Sequence, residues 1–274
     1  MRRWLRGITW AGIIAETGLF LTLSLSLFAP TAPVETYNFY ASDDGKRCEY
    51  RKDKREQRIR SDVKYDISDD RIVRIYDSAN PAKFAVGYTL ADGFVLTANH
   101  VPDGMVSPHV SDGRNTYQAD VIGKDPDRDI AVMKYTPENR RFNSTAIPTL
   151  SIASLQSFNG DVTIKTLSPD GASSYSRMTL SHKLSRVSFV GDGYVRRAYP
   201  VSENDIARRG MSGSPAFDEE NNLIGVLWGV RSGDVHKPSS NEPQITPPND
   251  LGFSLLINSS DIVQTLQGVC TETP

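Results

Sequence analysis

Between Ile72 and Ile257 the chain is cut into short runs of β-forming residues by Gly, Asp and Ser turns, and this punctuation constrains the fold more than any other feature. Residues 72–76, 84–90 and 94–97 are three such runs, and Asp92-Gly93 between the last two is a tight-turn dipeptide. Residues 117–122 and 130–135 follow, then 162–167, 175–180, 194–201, 215–218, 223–230 and 252–257. Many short strands separated by turns predict an all-β architecture. Residues 261–266, after Ser259-Ser260 as cap candidates, predict a short C-terminal helix.

The N-terminus has a different texture. Arg2, Arg3 and Arg6 precede an apolar run over residues 8–29 in which Glu16 is the only ionisable side chain. A helix of that length can span a bilayer, with the arginines kept on the cytoplasmic side and the rest of the chain outside. Two readings compete for residues 1–29: an uncleaved signal anchor, or a signal peptide cut at a weak small-x-small site among Ala29, Thr31 and Ala32. The length of the run and the neighbouring Pro30 and Pro33 favour the anchor, and Glu16 counts against a lipid-facing helix. Either way the remainder is exported, to the periplasm or the exterior. Residues 30–71 read as a basic stalk or linker, rich in Lys and Arg from Lys46 to Lys64 but without the apolar stripe of a membrane-lying helix. A touch on lipid headgroups or an acidic partner competes there with a solvated tether.

With 31 Lys and Arg against 33 Asp and Glu, the formal charge of −2 calls for no nucleic-acid partner. The two cysteines, Cys48 and Cys270, could form one bridge in an oxidising compartment or remain free thiols; neither is near a histidine in sequence, and no metal-ligand cluster is visible. No cofactor is called for.

The residues that bear chemistry are His100, Asp129 and Ser212. Ser212 lies in Arg209-Gly210-Met211-Ser212-Gly213-Ser214-Pro215, with glycines at −2 and +1 that let the backbone turn tightly and aim two N–H groups at one point. A serine hydroxyl is a poor nucleophile unless a base and an orienting acid stand behind it. Of four histidines, His109, His182 and His236 sit in polar contexts, whereas His100 ends an apolar strand. Asp129 directly precedes the apolar run 130–135, where a carboxylate is easily buried and then needs a partner such as an imidazole N–H. Asp125 and Asp127 read as turn residues.

Phe94-Val-Leu-Thr-Ala-Asn-His100, Asp129-Ile-Ala-Val-Met and Gly210-Met-Ser-Gly-Ser-Pro215 resemble the histidine, aspartate and nucleophile stretches of trypsin-fold (chymotrypsin-like) serine proteases, in the same chain order. The likeness runs from about Ile72 to Leu266. It is closest to the bacterial glutamyl-endopeptidase-like and Deg/HtrA-like subgroups, through Gly-x-Ser-Gly-Ser-Pro and Trp228-Gly229 for the first and Asp-Ile-Ala for the second. The resemblance implies two antiparallel six-stranded β-barrels, over 72–148 and 149–274 with the C-terminal helix, preceded by the N-terminal apolar helix. It also implies a serine endopeptidase acting on polypeptide: His100 as base then acid, Asp129 orienting it, and the N–H groups of Gly210 and Ser212 as the oxyanion hole. Trp228-Gly229 would pair with the substrate backbone as an added strand. Ile206 or Ala207, with Leu227, would line a pocket for a small or apolar side chain.

Three departures limit what carries over. Met211 replaces the aspartate that pairs with a freshly cut N-terminus in trypsin-like zymogens, and Leu227 replaces the histidine that helps glutamyl endopeptidases read an acid. Glutamate specificity is therefore not implied. The pocket assignment rests on position alone, and the chain ends at Pro274, leaving no room for the PDZ domain usual in Deg/HtrA proteins. Residues 232–250, with Pro238, Pro243, Pro247 and Pro248, read as a surface insertion or a lid at the pocket rim. Two other functions remain open: a silent binding module on the same fold, and an esterase of another fold. The second is disfavoured because Ser214 breaks Gly-x-Ser-x-Gly and only His236 lies downstream of Ser212.

Overall fold

The computed structural model describes residues 35–53, 71–138, 144–149, 161–167, 172–179, 185–188, 195–200, 210–218, 222–229 and 254–273. The expected apolar helix of residues 1–29, Ile206 and Ala207 of the expected pocket, and the 232–250 segment lie outside them. No helix among the described residues is long and apolar enough to cross a membrane.

The elements are β1 (Glu35–Ala41), β2 (Cys48–Asp53), β3 (Ile72–Asp77), β4 (Asn80–Ala91), β5 (Phe94–Ala98), a one-turn helix α1 (His100–Asp103), β6 (Pro108–Ser111), β7 (Thr116–Asp125), β8 (Ile130–Tyr135) and β9 (Ser144–Thr149). They continue with β10 (Asp161–Leu167), β11 (Ser173–Thr179), β12 (Ser185–Ser188), β13 (Val195–Pro200), β14 (Pro215–Phe217), β15 (Leu223–Gly229), β16 (Ser254–Asn258), α2 (Ser259–Val269) and β17 (Thr271–Glu272). Strands β3-β4-β5-β8-β7-β6 close into a six-stranded barrel, as expected for the first half. In the second half, the described residues form a seven-stranded antiparallel sheet in the order β11-β10-β14-β15-β16-β13-β12. The expected C-terminal helix is α2. Its cap is Asn258 rather than the expected Ser259 or Ser260, which lie inside the first turn: the Asn258 side chain accepts from the Asp261 N–H at 2.8 Å.

Side-chain alternation explains how the two halves share strands. In β5 every residue is buried: Val95 points into the barrel, beside Val73, Ile75 and Met133, while Phe94 and Leu96 face a second cluster with Phe217, Val226 and Trp228. A strand buried on both faces reads as a continuous apolar run, which is what residues 94–98 are. The hairpin to β4 turns at Gly93 with φ 87°, where a Cβ would meet the Tyr135 carbonyl oxygen at 2.8 Å. Burying a side chain of the size of Phe94 or Leu96 stabilises by about 1.5–3 kcal/mol.

A third sheet, β17-β2-β1-β9, was not foreseen, because 35–53 falls in the segment read as a stalk. Tyr37 and Phe39 of β1 and Tyr50 of β2 are buried in the second cluster, and β1 pairs with β9 from Glu35↔Thr149 to Tyr40↔Ser144. Cys48 and Cys270 form a disulfide across a separation of 222 residues, joining β2 to the end of α2, where β17 runs parallel to β2. The buried guanidinium of Arg71 donates to the carbonyl oxygens of Thr89 (3.2 Å) and Ser144 (2.9 Å), tying β4 to β9.

Candidate active site

Strand register brings the histidine and the aspartate together. β5 and β8 are antiparallel with Ala98 opposite Ile130, so the residues just past the end of β5 meet the residue just before the start of β8. The Asn99 N–H donates to the Asp129 carbonyl at 3.0 Å, and the His100 N–H to Asp129 Oδ1 at 2.9 Å. His100 Nδ1 lies 2.7 Å from Asp129 Oδ2. Asp129 has 0% exposure, and its carboxylate can only accept, so the proton of this bond sits on Nδ1. A buried carboxylate without partners would cost several kcal/mol, on the order expected for an ion moved out of water. Here two donors from a single residue satisfy it. The His100 side chain is 39% exposed, and its ring centre is 6.3 Å from that of Trp228.

Asp129 is the one non-glycine residue with positive φ among the described residues, at 56°. Aspartate tolerates the left-handed region better than most side chains. The preceding turn is closed by a long bond, 3.3 Å, from the Asp129 N–H to the Pro126 carbonyl. Asp125 is a turn residue as expected, its Oδ1 accepting the Arg128 N–H at 3.0 Å. Burial pushes the Asp125 carboxyl upward, but hydrogen bonds from the Arg128 side chain and N–H outweigh it and hold it below the usual range.

Ser212 lies in the turn before β14. Its carbonyl accepts from Val86 N–H of β4 at 2.9 Å; the Gly213 N–H donates to Leu227 O at 2.9 Å, and the Leu227 N–H to Ser214 O at 2.7 Å. The loop is therefore clamped between the barrel and β15. Gly210 and Gly213 have φ of 91° and 85°. A Cβ on Gly213 would lie 1.9 Å from Val86 O and 2.3 Å from Thr97 Oγ1, and one on Gly210 2.4 Å from the Phe84 ring. Only glycine permits so close an approach to β4 and β5. Ser212 is half-buried; among the described residues its hydroxyl makes no hydrogen bond to His100, and no backbone acceptor takes the N–H of Gly210 or Ser212. Of the expected substrate-contacting residues, Leu227 is fully buried with its backbone bonded to Gly213 and Ser214, Trp228 is buried beside His100, and Gly229 pairs with Ser254 in the β15–β16 ladder.

Sequence reasoning did not find the polar contacts that brace these elements. Lys124 Nζ reaches Asp103 Oδ1 of α1 at 3.0 Å, and Asp103 Oδ2 accepts from Asn99 Nδ2 at 2.9 Å. Arg128, adjacent to Asp129, reaches Asp261 and Gln264 of α2. The available signal was the opposite charges clustered in Lys124-Asp125-Pro126-Asp127-Arg128.

A trypsin-like peptidase domain model matches residues 84–226, more than half of the chain. A protein of Marinomonas sp. (strain MWYL1) named "Probable periplasmic serine endoprotease DegP-like" is 30% identical over 145 residues, 49% of this chain and 27% of that protein. The chain thus matches about a quarter of that relative's length. Among solved structures, the MamO protease domain of Magnetospirillum magneticum aligns with TM-score 0.55 at 16% identity, covering 72% of this chain and 96% of that one. The active form of the Rv3671c protease of M. tuberculosis aligns with TM-score 0.51 at 15% identity, covering 92% and 88%. At such identities the likeness is one of fold. With the family model spanning the strands that carry His100, Asp129 and Ser212, this chain belongs to the trypsin-like peptidase domain family.

Proposed function

We propose that the chain is an exported serine endopeptidase, tethered to a membrane through residues 1–29, that cleaves peptide bonds with Ser212, His100 and Asp129. The observation that carries this reading is the bond from His100 Nδ1 to the fully buried Asp129 carboxylate. With its proton held on Nδ1, the neutral ring keeps a lone pair on Nε2. The Ser212 hydroxyl gives its proton to Nε2 as Oγ bonds to the scissile carbonyl carbon. The N–H groups of Gly210 and Ser212 meet the resulting oxyanion, each contributing about 3–4 kcal/mol of transition-state stabilisation in related chemistry. The imidazolium then hands the proton to the leaving amine, the C–N bond breaks, and an acyl ester on Ser212 remains. Water attacks the ester while Nε2 takes its proton, and Oγ recovers that proton as the acid departs.

The N–H groups of Gly210 and Ser212, unengaged among the described residues, and the positive φ of Gly210 support the oxyanion site. Trp228-Gly229 of β15 receives an extended polypeptide as an added strand, with Ile206 lining the pocket for its side chain. The disulfide and the periplasmic relative support export, and the arginine-flanked apolar run supports the tether.

The test is labelling of the full-length chain by a fluorophosphonate probe, together with cleavage of a peptide library. Ser212→Ala should abolish both while leaving the circular dichroism unchanged. Equal labelling of wild type and variant sinks the proposal. A silent binding module is the second reading, favoured by the missing Ser212–His100 hydrogen bond; such bonds are often long before substrate binds. A folded, unreactive wild type would establish it.

A further inference from the structure

Asp129 must hold a left-handed backbone conformation while aiming both carboxylate oxygens at His100, and such a conformation costs about 1–2 kcal/mol unless the surroundings enforce it. The turn's own 3.3 Å bond from Asp129 N–H to Pro126 O is a weak restraint. The residue before Asp129 supplies a stronger one. The Arg128 guanidinium contacts three side chains in a fixed plane: Nη1 donates to Asp125 Oδ2, Nη2 donates to Gln264 Oε1 at 2.8 Å, and Nε lies 3.5 Å from Asp261 Oδ1. Its Asp125 partner also accepts from Thr265 Oγ1 at 3.3 Å, so both ends of the turn are tied to α2.

The helix on the far side is itself fixed. Asp261 is held in the first turn by Asn258, Ile262 and Leu266 are fully buried, and the helix ends in the disulfide through Cys270. Gly123 of β7 lies so close to it that a Cβ would meet Val269 at 2.2 Å. These side chains are only partly exposed, 33% for Arg128, 18% for Asp125 and 24% for Asp261, which keeps the charges partly shielded from solvent.

We infer that Arg128 is a positioning residue for the proposed reaction: by clamping the 125–128 turn to α2 it holds the Asp129 carboxylate in line with His100. This rests on the serine-endopeptidase reading for its kinetic consequence, but the geometry of the Asp129–His100 pair can be read without turnover. Arg rather than Lys is suited to the role because a planar fork can engage three acceptors at once.

The test uses the full-length protein and Arg128→Met, which keeps the apolar stem and removes the fork, with Arg128→Lys beside it. Three quantities are read: the proton NMR resonance of the His100 Nδ1–H, kcat and KM on one peptide substrate, and the melting temperature. In Arg128→Met the resonance should broaden or shift and kcat should fall about 10- to 100-fold, the size expected for a misplacement approaching 1 Å. KM should stay within about twofold, and Arg128→Lys should recover only part of kcat because it lacks the fork. A folded Arg128→Met with the wild-type resonance and kcat overturns the inference. Should that variant fail to fold, Asp261→Asn and Gln264→Ala cut only the helix side of the clamp, and an unchanged His100 resonance in both overturns it equally. A wild type without Ser212-dependent turnover defeats the protease reading instead, and the resonance still decides the clamp.

Discussion

Replacing Gly213 by alanine strikes the contact that seats the Ser212 loop. The new methyl would lie 1.9 Å from the Val86 carbonyl oxygen, a backbone atom of a buried barrel strand that cannot swing aside, and 2.3 Å from Thr97 Oγ1. Restoring ordinary contact at 3.4 Å requires the loop and β4 to separate by about 1.5 Å. The φ of 85° adds about 1–2 kcal/mol of strain for any L side chain. Separation also breaks the bond from Val86 N–H to Ser212 O, leaving buried groups unpaired for about 1–3 kcal/mol more. A loss on the order of 2–5 kcal/mol should lower the melting temperature by about 4–20 °C in a domain of this size. Because the same movement carries Ser212, fluorophosphonate labelling should slow by about 100-fold or more. Thermal unfolding followed by circular dichroism and labelling kinetics check both. Gly268→Ala serves as the control: its added methyl meets nothing within 4 Å beyond its chain neighbours and the backbone of α2, in which it sits, so it should stabilise by up to about 1 kcal/mol. A Gly213→Ala protein with wild-type melting and labelling would refute the reasoning.

Asp129→Asn keeps an acceptor for the His100 N–H but turns an N–H donor toward Nδ1, forcing the ring proton to Nε2 and disabling the base. Its kcat should fall about 10⁴-fold with the fold intact; a loss below tenfold would argue against the orienting role. Reducing the Cys48–Cys270 bridge frees a closed loop of 222 residues, for which chain entropy alone gives about 5 kcal/mol and typical bridges give about 2–4. Unchanged melting after reduction, verified by thiol titration, would count against it. Asp77 is held below the usual aspartate range by the N–H of Val106, with those of Ser107 and Ala79, against the opposing pull of burial; Asp125 is lowered as described above. A depressed folded value means stability that is present above the ordinary value near 3.9 and lost as pH falls through the lower folded one. The melting temperature should therefore drop below about pH 4, and Asp77→Asn with Asp125→Asn should flatten that drop; an equally steep decline in the double variant would contradict it.

Local chemistry in the chain is enough to mark out β5, the Asp92-Gly93 hairpin, the helix α2 and the three stretches around His100, Asp129 and Ser212, because each depends on neighbours within about ten residues: propensity, alternation and turn geometry. Pairings across long separations are another matter. In β1 the buried Tyr37 and Phe39 alternate in the sequence, yet the surrounding charges read as a solvated stalk, since their partner β9 lies about a hundred residues on. The disulfide was one of two open readings until Cys48 and Cys270 came within 4.7 Å between Cα atoms. Arg128 looks like any turn cation until α2 arrives beside it with Asp261 and Gln264. What the sequence by itself determined is the family and the local elements that carry His100, Asp129 and Ser212. The tertiary structure alone decided what encloses and braces them, because those contacts depend on which distant surfaces are buried against each other, and no local pattern encodes that choice.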